Sequence, residues 1–400
     1  MRAIHLSFYG SLLLSRLADQ VLLFLVPLVV YQQTGSASWT GMAFFVETLS
    51  RFVAFPVCGV LSDRHPPMRL LRFSQSLRAL TCIAGLTAGF TLNGQAALVA
   101  LVLVSAACGV FTTQGVMARE VLLPHIFPGV RFERVLAHSQ IADQLGMVAG
   151  PLVAATALAW WPWQGVLGGS AVLFVLADAS IAWWQRGHTG VLPQGRSAAG
   201  ESWWVPLGTA LKHISQLPGL KPLIALAAGV NLVVGATQAT AAAMLTGLLG
   251  QSAAAYAQLQ TAGAVVTVLV LVWVARVHWR GHRLGVWSYA LLLVGGLMTA
   301  WAAHPVVYAL GFLLVIGFDK MFSVYIRAGR QRIIPPQDFG KTSGVVVLLN
   351  NLSQPLAGLA VGLGAQGADA RGVIVALVVG MGVIGVVAWR RQLQLTPLSN

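Results

Sequence analysis

Apolar runs of about 20 residues, the length a helix needs to cross the roughly 30 Å hydrocarbon core of a bilayer, follow one another along almost all of this 400-residue chain. Short polar connections separate them. Only 9% of the residues are charged, against roughly a quarter in a soluble globular chain. Such a chain cannot cover a water-facing surface, so its solvent is lipid. The runs predict spans at 8–32, 39–62, 74–92, 96–118, 135–159, 164–186, 220–248, 253–276, 284–303, 305–328, 341–364 and 370–390. The expected fold is an all-α integral membrane protein of twelve transmembrane helices.

The net charge of +14 would point to nucleic acid in a soluble protein. Here the cations cluster in alternate connections instead. Arg64, Arg69 and Arg72 form one group, Arg119, Arg131 and Arg134 a second, Arg276, Arg280 and Arg283 a third, and Arg327, Arg330, Arg332 and Lys341 a fourth. The intervening connections, Gln32 to Ser38, Asn93 to Gln95, Trp160 to Gln164 and Leu249 to Ser252, hold no Lys or Arg. By the positive-inside rule the basic set and both termini face the cytoplasm. Four of the 25 cationic residues are Lys, a bias expected of a bacterium with a GC-rich genome, so the expected location is a bacterial inner membrane. The first run carries Arg16 and Asp19 and ends without a small-residue cleavage pattern, so it reads as a retained helix.

Cys58, Cys82 and Cys108 lie in apolar runs without metal-ligand spacing and are expected as free thiols. Trp160, Trp161 and Trp163, and at the other interface Trp183 and Trp184, read as belt anchors. The polar stretch Gln185 to Gln216 reads as a linker, in which Trp204, Leu207, Leu211 and Ile214 recur at helical spacing. The domains expected are therefore a six-helix bundle over 1–186, a cytoplasmic linker with a short interfacial helix over 187–217, and a second six-helix bundle over 218–400.

The chain also repeats itself. Arg119-Glu120-Val121-Leu122-Leu123-Pro124 after the fourth span matches Arg330-Gln331-Arg332-Ile333-Ile334-Pro335 after the tenth. Gly150-Pro151 in the fifth has its counterpart in Gln354-Pro355 of the eleventh. A parallel repeat of two six-span halves, with a solute site near the midplane between them, is a transporter design.

Three stretches then resemble the major facilitator superfamily, and within it the exporter branch containing the enterobactin and macrolide efflux proteins. Gly59-Val60-Leu61-Ser62-Asp63-Arg64 is similar to the start of the family signature between spans two and three, although Pro66-Pro67-Met68 replaces its Gly-Arg-Lys continuation. Gly146-Met147-Val148-Ala149-Gly150-Pro151 resembles the antiporter motif G-x-x-x-G-P of the fifth span. Ser15-Arg16-Leu17-Ala18-Asp19, followed by Thr34-Gly35-Ser36, resembles the branch's first span. The resemblance implies gating roles for Gly59, Asp63, Arg64, Gly146, Gly150 and Pro151. Packing of neighbouring helices is the plainer role for such glycines. Ser105 stands where drug-proton antiporters of the family carry a fourth-span arginine, so the resemblance does not extend to coupling by that route.

Ionisable groups in a span cost several kcal/mol unless a partner or a watery cavity receives them. Arg16, Asp19, Glu47, Arg51, Asp143, Asp319 and Lys320 fall in predicted spans. Arg16 with Asp19, and Glu47 with Arg51, have the spacing to pair on one helix. Such pairs serve either as structural glue or as a proton-coupling element, with Asp19 first, Glu47 second and Arg51 as the partner that releases it. Asp319 and Lys320 are adjacent and are expected to face different ways. The candidate cavity residues are Arg16, Asp143, Asn231, Gln238, Asp319, Lys320, Asn350 and Asn351.

No H-x-x-x-H or H-x-x-E-H metal spacing is present, and no H-E-x-x-H or G-x-S-x-G sequence supports a membrane-embedded enzyme. Gly340-Lys341-Thr342 lacks the upstream glycine of a phosphate-binding loop, so neither a metal nor any other cofactor is expected. The expected function is export of a small organic solute by proton antiport with alternating access, in a monomer whose partners are solute, protons and lipid. A siderophore or related metallophore is the first candidate. Multidrug or macrolide efflux comes next, then ferroportin-like metal efflux.

Overall fold

The structure is a computed structural model that describes residues 3–126, 132–187, 204–276, 281–335 and 339–395. Fourteen α-helices account for nearly all of them. The first six are α1 (Ala3–Thr34), α2 (Ala37–Arg64), α3 (Pro67–Thr91), α4 (Gln95–Leu122), α5 (Phe132–Trp160) and α6 (Trp163–Gly187). Then come α7 (Trp204–Gln216), α8 (Leu220–Ala242), α9 (Ala253–Arg276), α10 (Gly281–Trp301) and α11 (Pro305–Ile333). The last are α12 (Phe339–Asn351), α13 (Ser353–Gly364) and α14 (Arg371–Leu395). Among the described residues there is no strand, only an isolated bridge between Gln366 and Asp369.

These helices make twelve spans, since α12 and α13 share one and α7 is too short to cross. Ten stretches are long and apolar enough to cross a membrane on composition alone. The other two spans, α2 and α3, are 28 and 25 residues long but dilute their apolar side chains with charge. Breaks between helices follow local chemistry. Gly94, at φ +56°, takes the left-handed turn between α3 and α4 that a side chain would oppose. The interruption between α12 and α13 falls at Leu352, three residues before Pro355, whose ring removes the N–H that would bond to the Asn351 carbonyl. At the end of α8 the helix widens into a π turn, Ala243–Leu248.

The chain divides into two compact units. The first comprises Met1–Gln32, Val46–Ala199 and Ala253–Thr261; the second comprises Gln33–Phe45, Gly200–Ser252 and Ala262–Asn400. Thus α2 and α9 each give their first turns to one unit and their remainder to the other. In the first unit Phe8, Leu12, Met68, Leu71, Leu122 and Trp184 form a buried cluster. Gly85 and Gly89 bring α3 against α4 and α6: a Cβ on Gly85 would lie 2.8 Å from Val104, and one on Gly89 2.7 Å from Gln164. In the second unit Phe44, Ala236, Ala239, Ala357 and Val361 pack together, and a Cβ on Gly41 would lie 2.8 Å from the Gly358 carbonyl. Helix α7 joins this unit through Ile214, which packs with Leu220, Ile334 and Val346, and through His213 Nδ1, 2.8 Å from Thr342 Oγ1. Residues 188–203 of the expected linker lie outside the described residues.

The tryptophans divide differently from the expectation. Trp160, Trp161 and Trp183 are exposed, as belt anchors require, but Trp163 and Trp184 are buried, Trp184 against Phe8 at 5.4 Å. Trp183 and Trp184 are neighbours on α6, about 100° apart, so one faces outward and the other packs inside. All three cysteines are free and buried, with the Cys82 and Cys108 sulfurs 3.9 Å apart.

Candidate functional site

Helix α3 carries Ser74, Arg78 and Cys82 at i, i+4 and i+8, with Gln75 beside them, so one polar stripe runs down a mostly apolar helix. That stripe faces into the first unit and meets Asp19 of α1. Arg78 Nη1 donates to both Asp19 oxygens at 3.1 Å, and Thr112 Oγ1 of α4 donates to Asp19 Oδ1 at 2.8 Å. Arg78 Nε donates to the Ser74 carbonyl at 3.2 Å, and the guanidinium lies over the Phe174 ring at 4.5 Å. Both partners are buried, Asp19 at 4% and Arg78 at 2% exposure. Gly115 leaves the room: a Cβ there would sit 2.7 Å from Ser74 Oγ and 3.6 Å from Arg78 Nη2.

A cavity of about 200 Å³ opens beside this pair, lined by Arg16, Asp19, Gln75, Arg78, Arg119 and Asp143 among others. Arg119 closes on Asp143 at 2.8 Å. Arg16 lies in the field of both Asp19 and Asp143, and its buried Nε has no hydrogen-bond partner. The expected Arg16–Asp19 pair is therefore corrected: Asp19 takes its cation from α3. Among the described residues, three arginines face two carboxylates in this cavity.

Glu47 and Arg51 do pair along α2, at 3.2 Å, with Glu47 1% exposed. Thr113 Oγ1 donates to the Arg51 carbonyl at 3.2 Å, and the Arg51 stem lies where a Cβ on Gly109 would meet it at 2.7 Å. Ser105, also buried, lies beside Glu47. Neither member of the pair lines the cavity. A further pair, Arg72 with Asp178 at 3.0 and 3.2 Å, ties α3 to α6.

The second unit holds its own cavity, of about 210 Å³, lined by Asn231, Asp319, Lys320, Arg327, Arg330 and Asn350 among others. Asn231 Nδ2 donates to the Asn350 carbonyl at 2.8 Å. Lys320 Nζ bonds to Asp319 Oδ2 at 2.6 Å, and both line the cavity, which corrects their expected divergence. Adjacent positions do point apart at Cβ, but the four-carbon lysine stem swings back far enough to reach its neighbour. Asn351 also lines this cavity, and Gln238, farther along α8, does not.

The glycine motifs separate. In α5, a Cβ on Gly146 would lie 2.9 Å from Arg16 Cβ, and one on Gly150 would collide with Gln20, so these glycines seat α1 against α5 at the level of the cavity. Pro151 follows inside the helix. Among the described residues a Cβ on Gly59 meets nothing within 4 Å, so none of them makes the close packing expected there. Arg64 is exposed, and the Asp63 side chain lies outside the described residues.

Three functional candidates escaped the sequence reading: Arg78, Asp178 and Arg330. The first two lie inside predicted spans, and the polar stripe 74, 75, 78 was a usable signal for Arg78. Arg330 falls beyond the predicted span 305–328, whereas α11 runs to Ile333.

Twelve apolar spans, with a charged cavity inside each unit, are the frame of a membrane transporter rather than an enzyme. The sequence matches the Major Facilitator Superfamily over residues 8–357, and the chain belongs to that family. Its fold is similar to a bacterial homologue of the iron transporter ferroportin in an inward-facing state, with TM-score 0.76, 17% identity, and 97% of this chain and 98% of that one covered. A nucleoside transporter mutant is similar with TM-score 0.74, 12% identity and 97% and 99% coverage. A bacterial metal transporter follows with TM-score 0.71, 18% identity and 98% and 99% coverage. No curated protein sequence matches the chain.

Proposed function

We propose that this protein is a secondary active exporter of a small organic molecule, driven by proton antiport with alternating access, acting as a monomer in a bacterial inner membrane with both termini cytoplasmic. The observation that carries the reading is the buried Asp19–Arg78–Thr112 cluster beside a charged cavity of about 200 Å³. An ionised carboxylate at this depth is tolerable because Arg78 neutralises it. A proton arriving from the acidic side cancels the Asp19 charge, removes the hold on Arg78 and frees the state that the pair stabilised. A two-state element biased by one proton is what coupling requires. Glu47 and Arg51 are the second such pair.

Among the described residues no three His, Cys, Asp or Glu side chains converge as metal ligands, which favours an organic solute over a bare metal ion. A siderophore or related metallophore is the first candidate and multidrug or macrolide efflux the second. For the test, everted vesicles are energised by respiration and given a small-molecule extract of the source cells, while a pH-sensitive dye follows lumenal acidity. The reading predicts proton release with wild-type protein and none with Asp19→Asn. Equal release with Asp19→Asn would assign coupling elsewhere, and no release by wild type would sink proton antiport.

A further inference from the structure

The two cavities differ in one respect that the internal repeat makes visible. Arg119 and Arg330 open matching hexapeptides, and Gly150-Pro151 corresponds to Gln354-Pro355. Counting back seven residues from each of these dipeptides places Asp143 opposite Val347. Both line their respective cavities. In the first unit the arginine is neutralised by that aspartate at 2.8 Å. In the second the corresponding position is a valine. Arg330 is 7% exposed, and its Nε and Nη1 have no hydrogen-bond partner.

A buried guanidinium with unused donors is costly unless something anionic completes it. The surrounding groups do not. Asp319 is already engaged by Lys320 at 2.6 Å, Arg327 adds a like charge, and Asn231 donates its amide to the Asn350 backbone. Among the described residues three cations share this cavity with one carboxylate. We infer that it is an oxyanion site in which Arg330 forms the fork for a carboxylate of the solute, with Lys320 and Arg327 supplying attraction. Guanidinium and carboxylate match in planar, two-pronged geometry, which is why arginine serves this purpose better than lysine. The inference deepens the export reading by giving the solute a negative charge, and it rests on that reading only for the direction of transport.

The test measures binding without transport, by calorimetric titration of monodisperse protein in neutral detergent. The probes are citrate, benzoate and, as an uncharged control, benzamide; phosphatidylglycerol in mixed micelles forms a separate arm. The site predicts that at least one carboxylate binds, that benzamide does not, and that Arg330→Gln weakens binding by about tenfold or more, with Arg330→Lys between. Val347→Asp should abolish binding, because it supplies the counter-charge that Asp143 gives Arg119, while leaving the protein folded. Equal carboxylate binding by wild type, Arg330→Gln and Val347→Asp would overturn the site. So would no carboxylate binding by folded wild type, or binding of phosphatidylglycerol alone. Carboxylate binding that needs Arg330, in a protein that exports nothing from cells, would keep the site and remove the export reading.

Discussion

Arg78 shows how much can rest on one side chain. It neutralises Asp19, crosses to Thr112 and covers Phe174, all at 2% exposure. Removing one partner of a buried pair leaves a stranded charge and costs about 3–5 kcal/mol. Arg78→Gln is therefore expected to lower the thermal unfolding midpoint sharply in detergent, and adding Asp19→Asn should recover part of the loss. A single variant as stable as wild type would contradict the buried pair. Trp183 and Trp184 give a second contrast between neighbours. Trp184→Ala removes a side chain from a closed cluster and should cost about 3–5 kcal/mol, whereas Trp183→Ala, at an exposed position, should leave the same melting curve nearly unchanged.

At this scale the sequence was half legible. Asp19, Glu47, Arg51 and Asp143 announced themselves as charges in apolar runs, and Glu47–Arg51 followed from i, i+4 spacing. The partners of Asp19 and Asp143 come from other helices, 59 and 24 residues away. Periodicity along one helix carries no information about them.

At the level of the helix, the glycines of α5 carry most weight. Gly146 and Gly150 face Arg16 and Gln20 at distances that admit no side chain, so the G-x-x-x-G spacing is a packing device. It also positions Arg16 in the cavity, which joins the packing and functional readings of the motif. Gly150→Val is expected to separate α1 from α5, reducing yield and thermal stability. Gly59→Ala is the control: among the described residues nothing lies within 4 Å of its Cβ, and in a helix interior it should be neutral or stabilising by about 0.5–1 kcal/mol. Comparable losses from both substitutions, read by size-exclusion profile after heating, would contradict the packing account. The spans themselves were readable because lipid demands an apolar length, while their ends were misplaced because helices continue into polar residues at the interface. α11, which runs on past 328 to Ile333, is the instance that hid Arg330.

For the whole molecule, membership of the Major Facilitator Superfamily over residues 8–357 accounts for the twelve spans and the internal repeat. The topology read from arginine distribution predicts that cysteines placed at Ser36 and Arg69 label from opposite sides of intact cells. Labelling from one side alone would reverse the assignment of the basic connections to the cytoplasm. Solute identity was not legible, because it depends on which charges remain unneutralised once the helices are packed. Val347 in the cavity of Arg330 has no meaning until Asp143 is seen closing on Arg119. The central claim, export of an anionic organic solute, is met most directly by deleting the gene and comparing cells with their medium by untargeted mass spectrometry, under iron-limited and iron-replete growth. The account predicts an anionic compound that accumulates inside and vanishes outside, restored by wild type but not by Arg330→Gln, and dependent on iron if the solute is a siderophore. An unchanged profile in both media, or a lost compound that is cationic, would contradict it.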